Sequence, residues 1–135
     1  MLLVDTNVLV DVLEDDPEWS DWAINQLRSQ AKIHRLAINP VIYSELSLTF
    51  SSAETLDLTI NDLGLSLIEI PRSALFLAGK AFTRYRRQGG KKQNVLSDFF
   101  IGAHAAVSDY PILTRDSRHY TSYFPGIILI TPDRA

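Results

Sequence analysis

Hydrophobic positions along the chain fall into short solid runs and longer stretches of helical spacing, and the two kinds take turns. Leu2-Leu3-Val4 is an apolar run stopped by Asp5, and Thr6 to Leu13 can start a helix, so a buried strand followed by a helix is expected. After the acidic turn Glu14-Asp15-Asp16-Pro17, Trp19, Trp22, Ala23 and Leu27 recur at helical spacing and predict a second helix to about Ala31. Ile33 to Ile38 nearly alternates. Asn39-Pro40 then supplies an N-cap side chain and a proline at the first helical position, which places Glu45 in the second turn of a helix. Ser51 or Ser52 caps a further helix ending near Leu63-Gly64, where glycine can take the left-handed conformation. Leu65 to Ile70 reads as a strand closed by Pro71. Arg72 through Gln88 carries Ala74, Leu75, Ala78, Phe82 and Tyr85 at helical intervals, and Gly89-Gly90 stops it. A basic loop, Lys91-Lys92-Gln93, follows. Asn94 or Ser97 starts a helix through Asp98 to Val107, whose small residues suit tight central packing, and Pro111 to Thr114 and Gly126 to Ile130 predict two last strands.

Strands that are short, apolar and separated by helices predict an α/β domain with a mainly parallel sheet flanked by helices, spanning residues 1–135 as a single domain. In open sheets of this kind ligands collect at the carboxyl ends of the strands. The residues just after each strand are therefore the first place to look for chemistry.

Composition narrows the chemistry. The 135 residues are 46% hydrophobic and include no cysteine, which excludes disulfides, Cys-based zinc or iron-sulfur sites and thiol catalysis and fits a reducing, cytoplasmic setting. No apolar run reaches the roughly 18 residues of a membrane span, and the acid at position 5 argues against a signal segment. The net charge of −3 hides an uneven distribution: Ile70 to Ser97 holds seven of the 13 Lys and Arg and no acid, so the remainder carries −10.

Four acids stand where the expected topology puts strand ends or helix starts: Asp5 after the first strand, Glu45 and Asp98 on helices, and Asp116 just beyond Leu113-Thr114. Converging carboxylates repel and raise one another's pKa, which a divalent cation reverses; an all-oxygen set suits Mg²⁺ or Mn²⁺, ions that usually take remaining ligands from water and phosphate. A phosphodiester is the natural substrate. Each acid alone has an ordinary use as well: Asp5 as an N-cap, Asp98 as complement to a helix dipole, Asp116 in a turn, Glu45 in solvent.

The stretches Leu2-Leu3-Val4-Asp5-Thr6-Asn7-Val8-Leu9, Pro40 to Leu46, Asn94 to Ala105 and Leu113 to Tyr120 resemble, in order and spacing, the acidic motifs of PIN domains. The resemblance spans nearly the whole chain and is nearest to the small VapC-type ribonuclease toxins of bacterial toxin-antitoxin pairs. It implies a three-layer α/β/α fold and a Mg²⁺- or Mn²⁺-dependent endoribonuclease that is a homodimer and is neutralised by a cognate antitoxin. Carried residue by residue, it puts catalysis and metal binding on Asp5, Glu45, Asp98 and Asp116, with Asn7 and Thr114 as supporting hydrogen-bonders.

An acidic pocket needs nearby cations to hold RNA, and Arg84, Arg86, Arg87, Lys91 and Lys92 precede the Asp98 helix, so they are candidates for the RNA backbone; a solvated helix face is the plainer alternative. His34, His104 and His119 lack metal-site spacing, and His104 lies about 120° round the helix from Asp98, so core or surface roles are expected for all three. Trp19, Trp22 and Leu27 read as core, with an antitoxin helix as the other possible occupant of that stripe. Two rival functions remain: a PIN-like adaptor that binds RNA or protein without cutting, and a phosphoryl-transfer domain with Asp5 as nucleophile. The second lacks an acid two residues after Asp5 and a lysine after the last strand.

Overall fold

A computed structural model describes residues 1–92 and 95–132. Its sheet contains β1 (Leu2–Val4), β2 (Leu36–Ile38), β3 (Ser66–Leu67), β4 (Ile112–Leu113) and β5 (Leu129–Ile130) in the order β3-β2-β1-β4-β5, every neighbouring pair parallel. Among the described residues seven α-helices accompany it: α1 (Thr6–Leu13), α2 (Ser20–Gln30), α3 (Pro40–Leu46), α4 (Ala53–Asp62), α5 (Arg72–Arg87), α6 (Leu96–Ser108) and α7 (Arg118–Tyr123). The result is the expected three-layer α/β/α architecture, with a sheet that is wholly rather than mainly parallel. None of the described helices is long and apolar enough to cross a membrane.

The local signals worked through identifiable contacts. Asn39 caps α3 by accepting from the amides of Val41 and Ile42 at 3.1 and 3.0 Å, and Ser52, not Ser51, caps α4 by accepting from Thr55 N at 3.2 Å. Gly64 takes φ +71° after α4. β1 fills its apolar run Leu2-Leu3-Val4, but the other strands are shorter than their runs suggest. Leu65 to Ile70 pairs only at Ser66–Leu67, with one further bond from Ile68 N to Ile38 O, because β3 is an edge strand with a neighbour on one side only. Residues 31–33 form a turn before β2 rather than part of a strand. Gln93 and Asn94, from the expected basic loop and the first of the two α6 starts, lie outside the described residues; α6 begins at Leu96, one residue before Ser97.

Two apolar clusters hold the layers together. The larger joins β1, β2 and β4 to α1, α3, α4 and part of α6 through side chains such as Leu3, Leu9, Ile38, Ile42, Leu56, Ile101 and Leu113. The smaller joins α5 and α6 to the end of α7 through Ala74, Ala78, Ala81, Phe99, Ala103 and Phe124. The small residues of α6 do what their size suggests: a Cβ on Gly102 would stand 2.5 Å from the Phe124 ring and 3.2 Å from Tyr120. Glycine at 102 thus seats α7 directly against α6.

β1 lies at the centre of the sheet, where the chain winds outward through β2 and β3 on one side and through β4 and β5 on the other. The carboxyl ends of β1 and β4 therefore diverge into segments that leave a crevice between them, the position where open parallel sheets bind ligands.

Candidate active site

That crevice is a cavity of about 320 Å³ lined by Asp5, Thr6, Asn7, Val10, Glu45, Asp98, Arg115 and Asp116. The four acids that lie more than 110 residues apart at the extremes of the sequence thus share one wall-to-wall space. Asp5 leaves the end of β1 with its amide bonded to Leu113 O of β4 at 2.9 Å, so the two strand ends are tied together at the site. Glu45 projects from α3, Asp98 from the first turn of α6, and Asp116 from the segment between β4 and α7.

Each carboxylate is held. Asp5 is buried; its Oδ1 accepts from Thr6 N at 2.8 Å, which is the N-cap use expected of it, and its Oδ2 accepts from the hydroxyls of Thr114 and Tyr120, both at 2.8 Å. Thr114 is itself saturated: while its hydroxyl donates to Asp5 it accepts from Asp116 N at 3.1 Å and Asn7 Nδ2 at 3.3 Å, and Asn7 Oδ1 accepts from Arg115 N at 3.1 Å. Asn7 and Thr114 thus form the bonded frame beneath Asp5 and Asp116. Glu45 accepts from Thr6 Oγ1 at 2.6 Å and from Ser97 Oγ at 3.1 Å on its other oxygen.

Burial raises the pKa of Asp5 to about 6, against the lowering effect of its Thr114 and Tyr120 bonds and with a further push from Asp98. Burial also raises Asp98; its bond to His119 opposes this, and the charges of Glu45 and Asp116 add to it. Asp116 is pulled below the ordinary carboxylate range, chiefly by its hydrogen bond from Arg118. The acids feel one another across the cavity, the condition a bound cation relieves.

A hard divalent cation fits this donor set by chemistry. The donors are all oxygen, and hydrogen bonding leaves capacity on them: Asp5 uses three of about four lone-pair positions, Glu45 one on each oxygen, and Asp98 none on Oδ1 among the described residues. By spacing, the site is open: among the described residues no group of three or more His, Asp or Glu stands close enough to hold an ion without side-chain movement.

Several neighbours of the acids were not legible as such. Helix α7, absent from the expected elements, brings three consecutive residues to three different acids: Arg118 forks onto Asp116 at 3.2 and 2.9 Å, His119 Nδ1 bonds Asp98 Oδ2 at 3.1 Å, and Tyr120 donates to Asp5. The expectation of a core or surface role for His119 is thereby corrected. His104 is a core histidine, 1% exposed and bonded through Nδ1 to Asn39 at 3.1 Å, and His34 is half-buried away from the site. Arg115 lines the cavity with its guanidinium forked onto buried Asp11 at 2.6 and 3.0 Å and 5.4 Å from the Trp19 ring. Trp22 and Leu27 pack on the main core, as expected of them.

The basic residues stand outside the cavity. Arg84, Arg86, Arg87, Lys91 and Lys92 are all exposed at the end of α5 and just after it, and Arg84 lies 5.2 Å from the Tyr123 ring. Their link to the acids is a layer of aromatic side chains: Tyr85, between Arg84 and Arg86, meets the His119 ring edge-on at 5.6 Å, and His119 holds Asp98.

The backbone as a whole is similar to several solved chains. It superposes with a TM-score of 0.74 on a chain of VapBC2 from Rickettsia felis bound to a DNA fragment from its promoter, at 23% identity over 98% of both chains. A toxin-antitoxin complex from Klebsiella pneumoniae gives 0.70 at 22% identity over 100% of both, and VapBC-1 from nontypeable Haemophilus influenzae gives 0.71 at 16% over 96% of both. No curated protein sequence matches the chain. The PIN domain family model matches residues 2–124, a span that contains all four acids, β1 through β4 and the whole of α7, and the chain belongs to the PIN domain family.

Proposed function

We propose that this PIN domain is a metal-dependent endoribonuclease of the VapC type, the toxin of a toxin-antitoxin pair, acting on RNA phosphodiester bonds with Mg²⁺ or Mn²⁺ and neutralised by a cognate antitoxin. The observation that carries the reading is the shared cavity of Asp5, Glu45, Asp98 and Asp116 at the carboxyl ends of β1 and β4. The similarity in fold to chains of toxin-antitoxin complexes supports the antitoxin partner. A single domain, a homodimer and a cytoplasmic site of action belong to the same reading by family analogy.

In this mechanism Asp5, Asp98 and Asp116 would hold the cation, and Glu45 would be a further ligand or the base that orients the attacking water. The chemistry Mg²⁺ or Mn²⁺ would supply there is a lowered pKa for bound water and neutralisation of charge on the phosphoryl oxygen. The chain's own contribution is placement. Thr6 and Ser97 fix both oxygens of Glu45, so that it accepts a proton from a water in one orientation, while Asp5 is held from three sides. Attack in line with the leaving 3′ oxygen leaves a 5′-phosphate and a 3′-hydroxyl.

The test is cleavage of labelled RNA by the purified chain, expected with Mg²⁺ or Mn²⁺ and lost in EDTA. Cutting that persists in EDTA refutes the metal-dependent mechanism; RNA binding without cutting under every metal condition returns the chain to the adaptor reading. The exposed basic end of α5 gives a second expectation. Arg86→Ala combined with Arg87→Ala, measured in EDTA so that RNA survives, should weaken binding and flatten the slope of log affinity against log salt by about 1.4, at roughly 0.7 for each single-strand phosphate no longer neutralised. An unchanged slope assigns both arginines to a solvated face.

A further inference from the structure

Asp98 differs from the other acids in how it is held. Asp5 has three donors and Glu45 two hydroxyls, but the one hydrogen bond to the Asp98 side chain among the described residues comes from His119. The donor is itself fixed. The His119 ring lies 5.6 Å from Tyr85 of α5, edge-on, and 5.9 Å from Phe99, the fully buried neighbour of Asp98 on α6. Gly102, one turn further along α6, admits the Tyr120 and Phe124 rings that dock α7. Backbone and rings thus aim Nδ1 at one oxygen of Asp98, and the other oxygen has no hydrogen bond among the described residues.

We propose that His119 is a positioning residue for Asp98: by engaging Oδ2 it sets the carboxylate's rotation and leaves Oδ1 as the oxygen offered to a divalent cation. This rests on the metal-dependent reading of the site. A half-buried carboxylate on the first turn of a helix can otherwise turn about its side-chain bonds, and a fixed donor removes that freedom before the cation arrives. Partners of this kind typically change metal affinity by about 10- to 100-fold when removed. The aromatic bridge also means that Tyr85, flanked by Arg84 and Arg86, supports the same ring that steadies Asp98.

The experiment titrates Mn²⁺ into the purified full chain and follows the free-ion signal by electron paramagnetic resonance, comparing His119→Asn with His119→Leu. Asparagine and leucine have nearly the same shape and lose the ring contacts alike, but the asparagine Nδ2 stands where Nδ1 stood and can still donate. Leu is expected to weaken Mn²⁺ binding by about tenfold or more and Asn to stay within about threefold of the wild type. Equal affinity of the two variants overturns the proposal while leaving the site's metal function intact. Should the Leu variant fail to fold by circular dichroism, His119→Phe keeps a ring against Tyr85 and Phe99 without a donor and takes its place in the comparison. Asp98→Asn binding Mn²⁺ as tightly as the wild type, or a folded wild type that binds none, instead overturns the underlying assignment and this inference with it.

Discussion

Asp5→Asn is expected to abolish metal-dependent RNA cleavage, by about 10³-fold or more, and at the same time to make the metal-free protein more stable at neutral pH. On the proposed metal-dependent reading, the loss follows from removing one of the four carboxylates that line the cavity. The gain follows from the cost of keeping that charge buried. Burial lifts the Asp5 pKa from 3.8 to about 6, so the folded chain holds the proton more tightly than the unfolded chain does. Between these two values the folded state binds more protons, and stability therefore falls as pH rises through the window and stays low above it. An asparagine carries no such charge. The shift corresponds to about 3 kcal/mol, from which the poorer match of an amide to the Thr114 and Tyr120 hydroxyls subtracts, leaving a net gain of about 1–2 kcal/mol at pH 8. Urea unfolding in EDTA from pH 4 to pH 8 checks this: the advantage of the variant should be absent near pH 4 and grow to its full size by about pH 7. Added Mg²⁺ should then stabilise the wild type and not the variant. A variant equally destabilised at both ends of the range would show that burial of the Asp5 charge is not what strains the site.

The alternation of solid apolar runs with helical spacing carried the fold, because the inner strands β1, β2 and β4 are buried on both faces and hold no polar residue. Asp5, Glu45, Asp98 and Asp116 could be proposed together once the strand-end rule was applied to that order, and all four line one cavity. Helix α7 was not legible. Its six residues, Arg118-His119-Tyr120-Thr121-Ser122-Tyr123, are mostly polar, Ser117 gives it no side-chain cap, and tertiary contacts with α6 rather than local propensity hold it in place. Its partnerships with the acids went unseen for the same reason. Spacing along one helix said nothing about His119, whose partner is 21 residues away, with the rest of α6 and β4 between them. Arg115 posed the opposite difficulty: beside Asp116 it reads as turn composition, and its bond to Asp11 depends on β4 ending next to α1. Adjacent strand ends are a property of sheet order, which periodicity does not encode.

Asn39→Ala should destabilise the chain by about 3 kcal/mol, although the residue lies outside the cavity. Asn39 is fully buried and spends both ends of its amide: Oδ1 caps α3 through two backbone amides, and Nδ2 donates to His104 Nδ1 at 3.1 Å. Loss of the cap costs about 1–2 kcal/mol, and a buried acceptor left without a donor costs about 1–3 kcal/mol more. The donor role assigned to Asn39 requires a neutral His104 with its proton on Nε2, and burial supplies the neutral form by lowering the His104 pKa below 6.5. The unfolded chain then takes up a proton that the folded chain refuses, so His104 lowers stability as pH falls below about 6.5. Asn39→Asp separates the two functions of the residue. Its carboxylate still caps α3 but faces Nδ1 with an acceptor, which favours the charged imidazole, raises its pKa and reverses the sign of that histidine's pH dependence. Chemical unfolding of the wild type, Asn39→Ala and Asn39→Asp between pH 5 and pH 8, each also in a His104→Phe background, isolates the effect. If Asn39→Asp and the wild type share one slope through His104, the two side chains do not exchange a proton-dependent bond, and the link between the helix that carries Glu45 and the helix that carries Asp98 is one of packing alone.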